Sequence, residues 1–153
     1  MARVSRKKQN TPSTPIDTSV RIWKTALYVR LSVEDNGKDS DSVENQITLL
    51  EEYIENHPYL KKVALFIDNG YTGTDFLRPE FNRMMEAVQA DIVDCILVKD
   101  LSRLGRNYIE TGRYIELTFP EYDVRFIAIN DNYDSLHSEN EQQLGIINIF
   151  NEW

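Results

Sequence analysis

The chain has 153 residues, 41% of them apolar, and a formal net charge of -8, enough for one hydrophobic core and too little for two comfortable ones. No window approaches the roughly 18 apolar residues of a membrane-spanning helix, and the single Cys95 sits inside the apolar run "DCILV", where a buried structural thiol is expected. Residues 1–24 hold six of the 17 Lys and Arg and one of the 25 acids, so the remainder carries 11 bases against 24 acids, near -13. Such a domain cannot hold nucleic acid by bulk electrostatics.

In chain order, 1–24 is polar, basic and proline-containing, and reads as a disordered leader, not a signal peptide, which places the protein in the cytoplasm. Four apolar, β-branched runs predict strands at 25–32, 62–68, 91–100 and 123–131. Between them, Asp41 and Glu44 stand at capping-box spacing before a stripe of Val43, Ile47, Leu50 and Ile54, which predicts a helix from about Ser42 to about Asn56. Pro79 suits the first position of a second helix carrying Phe81, Met84, Met85 and Val88 on its inner side. A third helix is expected from about Arg103 to about Phe119, presenting Tyr108, Ile115 and Leu117 and stopped by Pro120. A last one starts near Ser138 and is still periodic at Trp153, so the chain is expected to be a fragment with a truncated long C-terminal helix. Alternating strands and helices predict an α/β three-layer domain around a mostly parallel sheet of four to five strands. In that architecture ligands meet the carboxyl ends of the strands.

Candidate chemistry gathers at those ends. Arg30 and Ser32 share one face of the first strand, opposite Leu27, Val29 and Leu31. Gln46 lies on or beside the buried face of the first helix, as a structural hydrogen-bonder or as a group that orients the first strand's end. Asp68 ends the second strand, and the Gly- and Thr-rich loop after it delivers Arg78 to the start of the second helix. In "KDLSRLGRN" (99–107), Arg103 and Arg106 stand three apart at an expected helix start, a good place for an anion. Taken singly, each of these has a bland reading: a loop serine, a buried-edge glutamine, surface arginines paired with acids. Four arginines, Arg30, Arg78, Arg103 and Arg106, all expected at one edge of the sheet, are harder to dismiss.

His57 and His137 lie in polar contexts, no G-x-S-x-G elbow is present, and neither a zinc spacing nor a nucleotide-phosphate loop appears. A serine among arginines, with neither histidine nor metal, suits attack on a phosphodiester, the arginines stabilising charge on the non-bridging oxygens.

The elements "YVRLS" (28–32), "SVENQ" (42–46), "DNGYTGTDFLRP" (68–79), "VKDLSRLGRN" (98–107) and "FPEYDVRFIAIND" (119–131) occur in an order that resembles the catalytic domain of serine site-specific recombinases of the resolvase/invertase type. Within that family they are most similar to the large serine recombinases of conjugative transposons and phages. The resemblance covers nearly all of 25–153 and implies a resolvase-like catalytic domain there, with C-terminal DNA-binding modules absent from this chain. It implies that Ser32 attacks DNA to give a 5′-phosphoserine link and a free 3′-hydroxyl, without metal or cofactor. Arg30, Arg78, Arg103 and Arg106 match the family's active-site arginines and Gln46 its glutamine, with Lys99, Arg78, Arg103 and Arg106 contacting DNA. Asp68 matches an acidic position of structural or catalytic role. Ser102 stands where many relatives keep Asp, with Asp100 two residues earlier; an arginine is then the favoured proton donor and Asp100 a secondary site residue. The implied partners are attachment-site DNA, bound mainly through the absent modules, and further copies of the protein, as a dimer and a synaptic tetramer at the nucleoid. Two other readings are a flavodoxin- or receiver-like binding module using Asp35 and Asp68, and a phosphomonoester hydrolase using Ser32, for which no water-activating group is evident.

Overall fold

A computed structural model describes residues 21–32, 42–71, 78–105 and 107–136, with the backbone alone at Ser32, Gly70 and Tyr71. The first strand, β1 (Trp23–Ser32), is followed by α1 (Val43–Glu55), β2 (Leu60–Tyr71), α2 (Pro79–Gln89) and β3 (Cys95–Val98). A 3-10 turn (Leu101–Arg103) leads to α3 (Tyr108–Arg113), a π-helical turn (Tyr114–Thr118) and the short α4 (Phe119–Glu121). Then come β4 (Arg125–Ala128), a second 3-10 turn (Ile129–Asp131) and β5 (Tyr133–Asp134). β1 starts two residues inside the segment read as leader; residues 1–20 and the expected C-terminal helix lie outside the described residues.

The sheet order is β2-β1-β3-β4-β5, parallel except for the antiparallel β4/β5 pair. Strand alternation sends side chains to both faces. Ala26, Tyr28, Ile96, Val98, Phe126 and Ala128 pack with Phe81, Met84 and Val88 of α2 and with Phe119. Leu27, Val29, Leu97 and Ile127 pack on the other face with Leu50 of α1. Because both faces are covered, β3 is buried at all four positions and reads as a continuous apolar run. From β1 the chain passes to β2 on one side, then crosses back over β1 to reach β3 on its other side. The carboxyl end of β1 is therefore the point where strand order reverses, the place where sheets of this kind hold ligands.

The helices follow their side chains, with several differences from expectation. In α1 the cap is Ser42, one residue after the expected Asp41, its Oγ accepting the Asn45 amide at 3.1 Å. The expected helix from Arg103 is instead a 3-10 turn, a break, and a helix that starts at Tyr108 under the cap of Asn107, whose Oδ1 accepts the Glu110 amide at 2.9 Å. Pro120 lies within the final helical turn, not after it; the preceding π turn changes the hydrogen-bond spacing where proline cannot donate. Of the three apolar residues this helix is expected to present, Ile115 packs against the core, while Tyr108 and Leu117 face solvent.

Burial of Cys95 pushes its thiol from the ordinary 9.0 up to about 12, against the opposing pull of Arg125. The unfolded chain loses that proton near pH 9 while the folded chain keeps it to about 12, so folded protein binds more protons across that window and stability falls as pH rises through it. Urea unfolding between pH 8 and pH 11 should show this decline, at most about 1.4 kcal/mol per pH unit for one group, with a shallower slope in Cys95→Ala.

Candidate active site

The carboxyl end of β1 and the turn after β3 are tied together by arginines bonded to each other's backbone. Arg30 Nε donates to the Arg103 carbonyl at 3.3 Å, and its Nη2 donates to the Ser102 carbonyl. In return, Arg103 Nη1 donates to the Arg30 carbonyl at 2.9 Å. The same Arg30 carbonyl accepts Gln46 Nε2 at 3.1 Å, so the fully buried glutamine of α1 fixes the strand end from below. Arg78, at the cap position of α2, reaches across to the same turn, its Nη1 donating to the carbonyls of Arg103 at 3.3 Å and Leu104 at 2.7 Å. Its guanidinium carbon lies 4.0 Å from the centre of the Phe81 ring, a cation–π contact that orients it.

Of the four arginines expected at one edge, the structure brings Arg30, Arg78 and Arg103 together, and Gln46 joins them at the end of β1. Arg106 and the Ser32 side chain lie outside the described residues, while the Ser32 backbone pairs with Tyr71 just past a shift in register after Leu31. Arg103 is buried and sits in the 3-10 turn rather than at an α-helix start. Lys99 lies at the edge of this turn, its carbonyl accepting the Asn130 amide at 2.8 Å.

Two carboxylates have structural work. Asp68 Oδ2 accepts the Tyr28 hydroxyl at 2.8 Å and the Phe81 amide at 3.0 Å, and its Oδ1 accepts the Glu80 amide at 3.0 Å. It therefore caps α2, where Arg78 offers no side-chain cap, and places a negative charge at the positive end of the helix. Burial, and after it the contact with Asp68, raises the Tyr28 hydroxyl well above its ordinary pKa, against Arg78, so it stays a proton donor. Asp100 caps the 3-10 turn: its Oδ1 accepts the Ser102 amide at 3.0 Å and the Ser102 hydroxyl, and lies 3.5 Å from Arg103 Nε. Ser102 thus faces Asp100 and does not replace it.

Sequence reasoning missed Asp131, Gly105 and Tyr28. Asp131 Oδ2 accepts the Leu101 amide at 2.7 Å; its sequence signal is its place as the last residue of the run 123–131. A Cβ on Gly105 would lie 3.0 Å from Thr111 Oγ1 and 3.1 Å from the Glu110 side chain, so a larger residue there would need these side chains to give way by a few tenths of an ångström. A cavity of about 710 Å³ lies at the opposite end of the sheet, lined by Trp23, Asp94, Phe119, Arg125 and Tyr133 among others. It contains none of the clustered arginines, and its own Arg21 and Arg125 are paired with Asp94 and Asp134.

Three guanidinium groups held at one strand end, beside a serine backbone, can stabilise a pentavalent phosphoryl group. The comparisons agree with that chemistry. The family model "Resolvase, N terminal domain" matches residues 25–153. The chain is 26% identical over 108 residues to a Bacillus subtilis (strain 168) protein described as "Putative DNA recombinase", covering 71% of this chain and 21% of that one. It thus spans about a fifth of the length of that curated relative. Among solved structures it is similar to the N-terminal catalytic domain of TP901-1 integrase, at 26% identity and TM-score 0.69, over 84% of this chain and 94% of that one. A resolvase family site-specific recombinase from Streptococcus pneumoniae matches at 27% identity and TM-score 0.67, over 85% and 89% of the two chains.

Replacing Asp68 by alanine strips two amides and a buried hydroxyl of their acceptor and should lower the unfolding free energy by about 2–4 kcal/mol. Denaturant titration of Asp68→Ala against the parent checks this.

Proposed function

The chain belongs to the resolvase N-terminal-domain family, and from that premise we propose that it cleaves and rejoins DNA in site-specific recombination, with Ser32 as the nucleophile. Ser32 Oγ attacks a backbone phosphorus, the bond to the 3′ oxygen breaks, and the products are a 5′-phosphoserine ester and a 3′-hydroxyl. Attack of a 3′-hydroxyl from the exchanged strand reverses the step, so one phosphoester bond replaces another and no external energy is consumed. Arg30, Arg78 and Arg103 stabilise the charge on the non-bridging oxygens, with Arg106 as a fourth member and Lys99 at the rim of the DNA contact. An arginine supplies the proton to the leaving oxygen. Gln46 acts through the Arg30 carbonyl that it holds. Asp68 and Asp100 act as caps for the elements that carry the arginines, a structural part more than a catalytic one.

The observation that carries this reading is the convergence of Arg30, Arg78 and Arg103 on the end of β1, where strand order reverses and Ser32 ends the strand. The receiver-like alternative needs Asp68 to face a cation, and this carboxylate is engaged with Tyr28 and the start of α2. With a charge near -13 over 25–153, general DNA affinity comes from C-terminal modules of a longer parent, which acts on attachment sites as a dimer and synaptic tetramer in the cytoplasm.

Full-length protein incubated with attachment-site duplex should form a covalent protein–DNA adduct, and Ser32→Ala should bind the site and form none; an adduct persisting in that variant would sink the assignment. Residues 1–153 alone should bind the same duplex weakly in a gel-shift titration, and tight, salt-sensitive binding would contradict the assignment of affinity to other modules.

A further inference from the structure

We infer that Asp131 is a positioning residue for DNA cleavage, acting through the backbone of the 99–105 turn without touching the substrate. The inference rests on the functional reading above.

The turn that carries Arg103 follows β3 after Lys99 and Asp100, and its first amides need acceptors. Each is met by a specific acceptor: Leu101 by Asp131 Oδ2 at 2.7 Å, Ser102 by Asp100 Oδ1 at 3.0 Å, and Arg103 by the Asp100 carbonyl at 3.2 Å. Two of these acceptors belong to the turn itself. Only Asp131 comes from outside it, from the 3-10 turn that follows the neighbouring strand β4.

β3 and β4 pair in register as far as Val98 and Ala128. Beyond that pair the Asn130 amide donates to the Lys99 carbonyl at 2.8 Å, and the Asp131 carboxylate then takes the Leu101 amide. The second 3-10 turn, closed by the Asn132 amide on the Ile129 carbonyl at 3.1 Å, holds Asp131 in this position, with Asn132 in the left-handed region at φ 54°. The sheet edge is therefore extended by two bonds into the turn.

The consequence falls on the carbonyls that follow. Those of Ser102, Arg103 and Leu104 accept the guanidinium groups of Arg30 and Arg78. If the Leu101 amide is released, the peptide planes after it can rotate, and the arginines lose the acceptors that aim them. Displacements of about 1 Å at a reacting centre cost up to about 100-fold in rate. An acceptor oxygen at residue 131 is what the geometry requires, and a negative charge there is not, so asparagine should serve nearly as well as aspartate.

The test uses full-length protein and a nicked attachment-site duplex that traps the covalent adduct, with Asp131→Ala and Asp131→Asn beside the parent. Three quantities are read: site affinity, the single-turnover rate of adduct formation, and amide hydrogen exchange in the peptide spanning 99–105. Asp131→Ala should keep site affinity within about twofold, lose about tenfold or more in adduct rate, and exchange faster at 99–105. Asp131→Asn should restore the rate to within about threefold. Should Asp131→Ala give no cooperative thermal transition, Asp131→Asn decides alone: near-parental rate and exchange support the assignment, and a tenfold loss of rate with parental exchange overturns it. An Asp131→Ala rate within twofold of the parent overturns the inference while leaving Ser32 as nucleophile intact. Absence of an adduct in the parent protein overturns the functional reading and this inference with it.

Discussion

The site depends on a reciprocal exchange of hydrogen bonds between the end of β1 and the turn after β3. Arg30 donates to the carbonyls of Ser102 and Arg103, and Arg103 donates to the carbonyl of Arg30. Each arginine is thus held by the backbone of the segment that carries the other. A peptide carbonyl orients a guanidinium without cancelling its charge; Arg103 also has the Asp100 carboxylate 3.5 Å from its Nε. Gln46 from below, Arg78 from the start of α2, and the caps Asp68, Asp100 and Asp131 all serve to keep this arrangement at one geometry.

That arrangement explains how an acidic domain can act on a polyanion. The field of 24 acids against 11 bases over 25–153 opposes DNA at long range. Within a few ångströms, fixed guanidinium groups outweigh it, because interactions at a partly desolvated site exceed those across solvent. On the proposed reading, the domain stabilises charge at one phosphorus and does not hold a duplex along its length.

Much of this was legible from the residue pattern. The β-branched runs located the strands because burial on both faces leaves them few polar positions, and the stripes of α1 and α2 follow the same burial. Arg30, Gln46, Arg78 and Arg103 were readable because strand ends and helix starts have local signatures. The helix start at Tyr108 was not, since Asn107 can sit inside a helix or cap one, and its Oδ1 takes the Glu110 amide as a cap. Asp68 looked like a possible site acid because its sequence position shows the strand end it occupies but not the amides of Glu80 and Phe81, 12 and 13 residues on, that it caps. The partner of Asp131 was hidden for the same reason: it lies 30 residues earlier, and the register of β3 against β4 brings the two together.

The central claim is that the group transferred to DNA is the serine at the end of β1. Tryptic mapping of the trapped adduct tests it most directly, because cleavage after Arg30 and Lys38 releases the peptide "LSVEDNGK", in which Ser32 is the only hydroxyl-bearing side chain. The account predicts a 5′-phosphonucleotide mass on that peptide and on no other. The same mass on a peptide carrying Ser102 or a tyrosine, with "LSVEDNGK" unmodified, would contradict it.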